Sequence, residues 1–217
     1  MKNFTTDQVR QQRWLFIGDS ITDYQCRDDP QGWGYGYVRM IRQWLAGRRM
    51  APEVLNRGIS GDTVRRMAAR WQEDVIELKP DLLSVKVGVN DVGYHFNPDR
   101  VSDAVGLDEF RASYEQCLSR VKEELPECRI VICEPCGIFP PRAPEISEML
   151  KGYIQVAREL AERYAICPAV PLHAAFVDAM AEKPEIDWTV DGVHPSPVGD
   201  ALIAEHWMRG TGMLGLR

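Results

Sequence analysis

Ser20 follows a run of large apolar side chains, Trp14-Leu15-Phe16-Ile17, closed by Gly18 and Asp19. A serine hydroxyl is a weak nucleophile at neutral pH and needs a base beside it. Of the 4 histidines in the chain, His194 is the one set in a compact polar loop, Asp191-Gly192-Val193-His194-Pro195-Ser196, with a carboxylate three places before it. Asp191 on the same turn would accept the imidazole N–H, fix the tautomer and stabilise the imidazolium as it forms. Together the three residue types can perform acyl transfer. The same residues also have plainer readings: Ser20 as a turn or helix-capping serine, and the His194 loop as a polar capping turn.

Acyl transfer further requires donors aimed at the developing oxyanion. The backbone N–H of Ser20 is one candidate. Gly61 offers a second at a helix start, unobstructed by a side chain. The Asn90 amide is a third, neutral and able to donate at any working pH. Each again has a structural alternative, Gly61 as a turn former and Asn90 in an Asx-turn. The remaining histidines carry less: His206 lies in an amphipathic helix, His173 starts one, and His95, in a long loop, is a candidate substrate contact. Asp191 and His194 lack an obvious third ligand nearby, so no metal site is expected. Cys133-Glu134-Pro135-Cys136 has redox or zinc spacing but no second pair, and it follows an apolar strand, so a structural role is expected. Asp187, a second carboxylate near the His194 loop, reads as solvated.

The elements that must position these residues follow from periodicity. The run at Trp14–Gly18 reads as a strand buried on both faces, with Gly18 relaxing the backbone for the turn into Ser20. Tyr37, Val38, Ile41, Trp44 and Leu45 trace a helix. Pro52–Asn56 forms a second strand, followed by a Gly-rich turn with Asp62 as helix cap and a single helix striped by Val64, Met67, Trp71, Val75 and Leu78, ending before Pro80. Arg65, Arg66 and Arg70 would be its solvated face. Leu82–Val87 is a third strand, and 88–107 reads as a loop without periodicity, the kind that tends to be functional. A helix through Phe110–Leu125, a fourth strand at Arg129–Cys133, a Pro-rich loop with Pro140 and Pro141, and a helix through Leu150–Tyr164 come next. Ala169–Leu172 reads as a fifth, edge strand because of Pro171. A short helix near Ala174–Met180 and a last one over Pro197–Met208 complete the chain. Strands alternating with helices give a doubly wound α/β sheet, and ligands bind beyond the carboxyl ends of its strands. Ser20, Gly61 and Asn90 all fall at such ends.

Composition sets the outer limits. A length of 217 residues, 45% of them hydrophobic, suits one domain spanning 1–217 with a sizeable core. The formal charge of −6 supplies no basic footprint for nucleic acid and no cationic face for a membrane surface. No apolar run approaches the roughly 18 residues of a spanning helix. Met1–Asp7 lacks the apolar stretch of a signal peptide, which makes a cytoplasmic location the expectation. The 6 cysteines, irregularly spaced, read as free thiols.

Gly18-Asp19-Ser20-Ile21-Thr22, Gly58-Ile59-Ser60-Gly61-Asp62-Thr63, Gly88-Val89-Asn90-Asp91 and Asp191-Gly192-Val193-His194-Pro195 resemble the four motif blocks of the SGNH (GDSL-type) hydrolases, in the family order. The resemblance covers nearly the whole chain. It implies a three-layer α/β/α sandwich, flavodoxin-like, with a five-stranded parallel sheet. It implies Ser20 as nucleophile, Asp191 and His194 as its triad partners, and Ser20 N–H, Gly61 N–H and Asn90 as the oxyanion hole, with no cofactor. Ile59–Arg65, Ala69–Ile76, Gly88–Val92, Trp188 and His194-Pro195-Ser196 look similar to bacterial intracellular acetyl-xylooligosaccharide esterases. The implied activity is hydrolysis of short acyl esters, O-acetyl groups on small carbohydrates foremost. Trp33, Tyr94 and Trp188 would offer surfaces to a sugar ring or line a fatty-acyl pocket. A thioesterase or lysophospholipase with the same triad, or a binding module without catalysis, are the alternatives. Apolar Met213, Leu214 and Leu216 near the end of the chain, together with the assembly of the proteins it resembles, point to a homo-oligomer.

Overall fold

Trp14, Leu15, Phe16 and Ile17 are all fully buried, because their strand has a neighbour on each edge and helices on each face. The structure is a computed structural model describing residues 9–137 and 144–215. In chain order the elements are β1 (Arg13–Gly18), α1 (Ser20–Asp23), α2 (Tyr37–Gly47), β2 (Glu53–Gly58), α3 (Val64–Ala69), β3 (Leu82–Lys86), α4 (Val89–Gly93), α5 (Leu107–Glu124), β4 (Arg129–Ile132), α6 (Pro144–Tyr164), α7 (Leu172–Glu182) and α8 (Pro197–Gly210). The strands are all parallel in the order β2-β1-β3-β4. The chain reverses its winding direction between β1 and β3, the place where open α/β sheets bind ligands.

Side-chain alternation along the strands divides the interior in two. Leu15, Ile17, Leu83, Val85, Ile130 and Ile132 pack with α3, α5 and α6. Trp14, Phe16, Leu82 and Val131 pack with α2 and α8. In this second core the Trp207 ring lies 5.8 Å from Trp14 and 5.5 Å from Phe16, and its indole N–H donates to Ser84 Oγ at 3.0 Å. Each such fully buried side chain contributes roughly 1.5–3 kcal/mol from apolar burial. Met213 is also spent inside this core; Leu214 is exposed, and Leu216 lies outside the described residues, as do Met1–Asp7 and the Pro140-Pro141 segment.

The sheet has four strands, not five. Val170 pairs with Cys133 in a single parallel bridge, its N–H donating to Ile132 O at 2.9 Å. Pro171 then has no N–H to extend the ladder, and α7 begins at Leu172. The helix expected to run unbroken from Val64 to Leu78 is interrupted as well. After α3 comes a π-helical turn over Gln72–Ile76, closed by Glu77 N–H to Gln72 O at 3.0 Å. The wider turn lets Trp71, Val75 and Ile76 all stay buried. The cap of α3 is Thr63, which accepts from Arg66 N, while the Asp62 side chain pairs with Arg70 at 2.7 Å. Arg70 is therefore largely buried between Asp62 and Asp74, and Arg65 and Arg66 pair with Glu109 and Asp103; this face is crosslinked and not simply solvated. The 88–107 stretch holds α4 and two 3₁₀ turns, Tyr94–Phe96 and Val101–Asp103, too short to leave a periodic signature. All six cysteines are free and buried, and burial pushes the Cys133 thiol up to about 12.

Candidate active site

The end of β1 builds the serine turn. Gly18 does not take a left-handed conformation. A Cβ there would lie 2.0 Å from the Lys86 carbonyl oxygen, so glycine is required by close approach to β3 and not by backbone freedom. Asp19 caps α1: its Oδ1 accepts from Ile21 N at 3.1 Å, and its carbonyl accepts from Thr22 N and Asp23 N at 3.1 and 2.9 Å. These bonds use the next N–H groups of the short helix and leave that of Ser20 at its open end. At the far end, Tyr24 takes a left-handed conformation, and its hydroxyl donates to Pro195 O at 3.3 Å. The serine turn is thereby tied to the histidine loop.

That loop is a tight hairpin leading into α8. Thr189 and Pro195 form an antiparallel bridge, Val190 N–H donates to His194 O at 2.9 Å, and Ser196 N–H donates to Trp188 O at 3.0 Å. Ser196 then caps α8 by accepting from Gly199 N, with Pro197 at the first helical position. Inside the hairpin, Asp191 Oδ1 accepts from Val193 N and His194 N at 2.9 and 2.7 Å, and Oδ2 lies 2.6 Å from His194 Nδ1. His194 Nε2 lies 2.8 Å from Ser20 Oγ. Partial burial opposes ionisation of Asp191, but the two backbone N–H groups and the imidazole outweigh it and hold the carboxyl below its usual range. An ionised carboxylate at Nδ1 places the imidazole proton there, which leaves the Nε2 lone pair to take the Ser20 proton.

Two further turns converge beside the serine. Asp23, three places after Ser20, accepts from Ser60 N at 3.0 Å and Ser60 Oγ at 2.9 Å. Ile59 N–H donates to Gly18 O and Asp62 N–H to Ile59 O. Tyr94 Oη donates to Gly61 O at 2.9 Å. The N–H groups of Ile59, Ser60 and Asp62 and the Gly61 carbonyl are thus occupied, while the Gly61 N–H has no partner among the described residues. Gly61 adopts φ +82, a conformation that disfavours any side chain. Asn90, in α4, donates one amide hydrogen to Asp62 O at 2.9 Å, which orients the group and leaves its second hydrogen available. The neighbouring Asp91 is fully buried, accepts from Val64 N at 2.9 Å and has its carboxyl pushed up to about 7 by burial.

The aromatic and histidine candidates are distributed differently. The Tyr94 ring is buried beneath the Arg100 guanidinium, 4.2 Å away. Trp33 is half-buried, with Arg39 and Arg42 at 5.6 and 5.0 Å from its ring centroid. Trp188 packs against the second core and donates its indole N–H to Lys183 O at 3.0 Å. His95 is exposed, its Nε2 3.3 Å from Val105 O. His173 is half-buried in α7 and His206 sits in α8; burial pulls both imidazoles below their usual value. Asp187 is exposed. Among the described residues no group of three or more His, Cys, Asp or Glu is arranged to hold a metal ion, and no helix is long and apolar enough to cross a membrane.

Sequence reasoning passed over Asp23, which links the serine turn to the Gly61 turn, and the pairing of Asp19 with Lys86. The available signal was Lys86 itself, a charged residue inside the apolar run Leu82–Val87.

Residues 16–202 match the GDSL-like Lipase/Acylhydrolase family. The acetylxylan esterase of Geobacillus stearothermophilus is 34% identical over 95% of this chain and 96% of its own length. A crystal structure of that enzyme superposes with a TM-score of 0.84 at 32% identity, covering 95% of this chain and 96% of the other. A putative GDSL-like lipase from Parabacteroides merdae gives the same TM-score and identity over 97% and 98% of the two chains. With the match running from β1 into the last helix, the chain belongs to the GDSL-like lipase/acylhydrolase family.

Proposed function

We propose that this protein is a serine esterase that hydrolyses short acyl esters, O-acetyl groups on small carbohydrates foremost, through a Ser20–His194–Asp191 triad and an acyl-enzyme. The observation that carries the reading is the 2.8 Å approach of Ser20 Oγ to His194 Nε2, with Asp191 2.6 Å behind the ring. Similarity to the Geobacillus acetylxylan esterase supports the carbohydrate half of it.

In this mechanism His194 Nε2 takes the Ser20 proton as Oγ attacks the ester carbonyl. The N–H groups of Ser20 and Gly61 and the Asn90 amide receive the oxyanion of the tetrahedral intermediate. Asp191 stabilises the imidazolium that has formed. His194 then gives its proton to the departing alkoxide, leaving Ser20 acylated. Water, deprotonated by the same imidazole, adds to the acyl carbonyl, and collapse of the second intermediate releases the acid and restores the Ser20 hydroxyl.

Asn90→Ala removes one oxyanion donor without touching the triad. It is expected to lower kcat by roughly 10²–10³-fold with little change in KM. Steady-state kinetics on p-nitrophenyl acetate check this, and a rise in KM alone would show that Asn90 binds the ground state instead.

The substrate class is tested by comparing p-nitrophenyl acetate, butyrate and octanoate alongside acetate release from acetylated xylo-oligosaccharides. The expected result is acetate release together with a kcat/KM for the acetate ester at least about tenfold above that for octanoate, the scale on which a small pocket discriminates added methylenes. The opposite order would assign the triad to lipase-like or thioesterase chemistry.

A further inference from the structure

The best-buried ion pair among the described residues begins at Asp19, the residue before the serine. Lys86 and Asp19 side chains are both 0% exposed, and Lys86 Nζ lies 3.4 Å from each Asp19 carboxylate oxygen. Gly18 pairs with Lys86 across β1 and β3, which puts the lysine at the carboxyl edge of the sheet, one residue before the end that carries Asp19 and Ser20. The mechanism described above uses neither charge.

Such a pair is a poor stabilising device, because desolvating two ions costs about as much as their attraction returns, and apolar residues of similar volume do as well or better. Among the described residues Asp19 is the only carboxylate in ionic contact with Lys86. The other titratable groups around the pair are Cys133 and Cys136, Tyr37 from α2, Asp62 and Glu134 in their pairs with Arg70 and Arg158, and the buried Asp91 and Asp200. Burial holds the two thiols and the phenol above their usual values, so they stay neutral. Burial also pulls the Lys86 ammonium down, and the Asp19 carboxylate pushes it back above the usual lysine value. Asp19 is thus the group that keeps Lys86 charged.

Asp19 has a task at the site, since its Oδ1 caps the helix whose first residue is Ser20. An anion in that position carries a penalty: uncompensated, it opposes the negative charge that develops on the substrate oxygen in front of Ser20. We propose that Lys86 is a positioning residue for catalysis, holding the Asp19 carboxylate as the cap of the nucleophile's helix while cancelling its charge behind the developing oxyanion. This inference rests on Ser20 being the nucleophile.

The test is a charge cycle on p-nitrophenyl acetate, with Lys86→Met, Asp19→Asn and the double variant, each measured well below its melting temperature. Lys86→Met keeps the anion and loses its partner; kcat is expected to fall roughly 10- to 100-fold with KM within about threefold of the parent. The double variant has no charge at either position of the pair and retains an amide oxygen to cap Ile21 N–H, so its kcat is expected to return to within about tenfold of the parent. A purely structural role would lower the melting temperature without this recovery in kcat. A folded Lys86→Met with unchanged kcat overturns the proposal, and so does a folded double variant more than about tenfold down. The second criterion still decides if Lys86→Met alone does not fold. Ser20→Ala in the same series separates the two readings: if it retains activity, the assignment of the nucleophile has failed, whatever the charge cycle shows.

Discussion

Ser20→Ala is expected to abolish ester hydrolysis, lowering kcat by at least about 10⁴-fold, the scale on which loss of a triad serine acts. The substitution removes one oxygen from a half-buried position and leaves the backbone of α1 untouched. Asp19 still caps Ile21 N–H, Tyr24 still reaches Pro195 O, and the hairpin around His194 keeps its own bonds. The melting temperature should therefore move little, and activity and stability separate cleanly. The check is kcat on p-nitrophenyl acetate together with mass spectrometry after exposure to a fluorophosphonate. The parent should gain one adduct at Ser20 and the variant none. Retained turnover, or labelling elsewhere with loss of activity, would place the nucleophile on another residue.

Asp191→Asn is expected to cost nearly as much, roughly 10³–10⁴-fold in kcat, although the side chain changes by a single heavy atom. The reason lies in how Asp191 spends its two oxygens. Oδ1 accepts two backbone N–H groups, from Val193 and His194, and Oδ2 faces His194 Nδ1. An asparagine keeps its carbonyl oxygen on the two backbone donors and turns its NH₂ group towards Nδ1. Nδ1 must then accept, so the imidazole proton moves to Nε2. A protonated Nε2 donates to Ser20 Oγ and can no longer take its proton. KM should stay near the parent value, because the hairpin remains capped and the acyl site is unaltered. A fall below about tenfold would mean that the backbone bonds alone orient the ring and that the carboxylate is dispensable.

Much of the site was legible because its parts are local. The hairpin from Thr189 to Ser196, the serine turn and the Gly61 turn each declare themselves through small and polar residues placed after an apolar run. The nonlocal parts were less legible. Pro171 correctly marked a weak edge, but that the strand shrinks to one bridge depends on what β4 offers it. The helix stripe from Val64 onward read as uniform because a π turn conserves the buried face while changing the hydrogen bonds beneath it. The tie from the Tyr94 hydroxyl to Gly61 O is a contact that no spacing along the chain encodes. Lys86 was the sharpest omission. Within a five-residue strand it is compatible with a solvated side chain, and only the parallel register beside Gly18 puts it under Asp19.

The hydrogen bond between Ser20 and His194 closes a loop of 174 residues, most of the chain. Contacts of such sequence separation are entropically expensive to form and contribute their favourable energy late in folding. The central strands can pair and bury the core they share with α3, α5 and α6 before the His194 hairpin settles against Tyr24, whereas the second core, which holds Trp207, is completed only with α8. Ser20 and His194 therefore meet only once the carboxyl-terminal helix has docked. Under the mechanism proposed above, Ser20 of a nascent chain is inert until then, and catalytic competence arrives together with the completed fold.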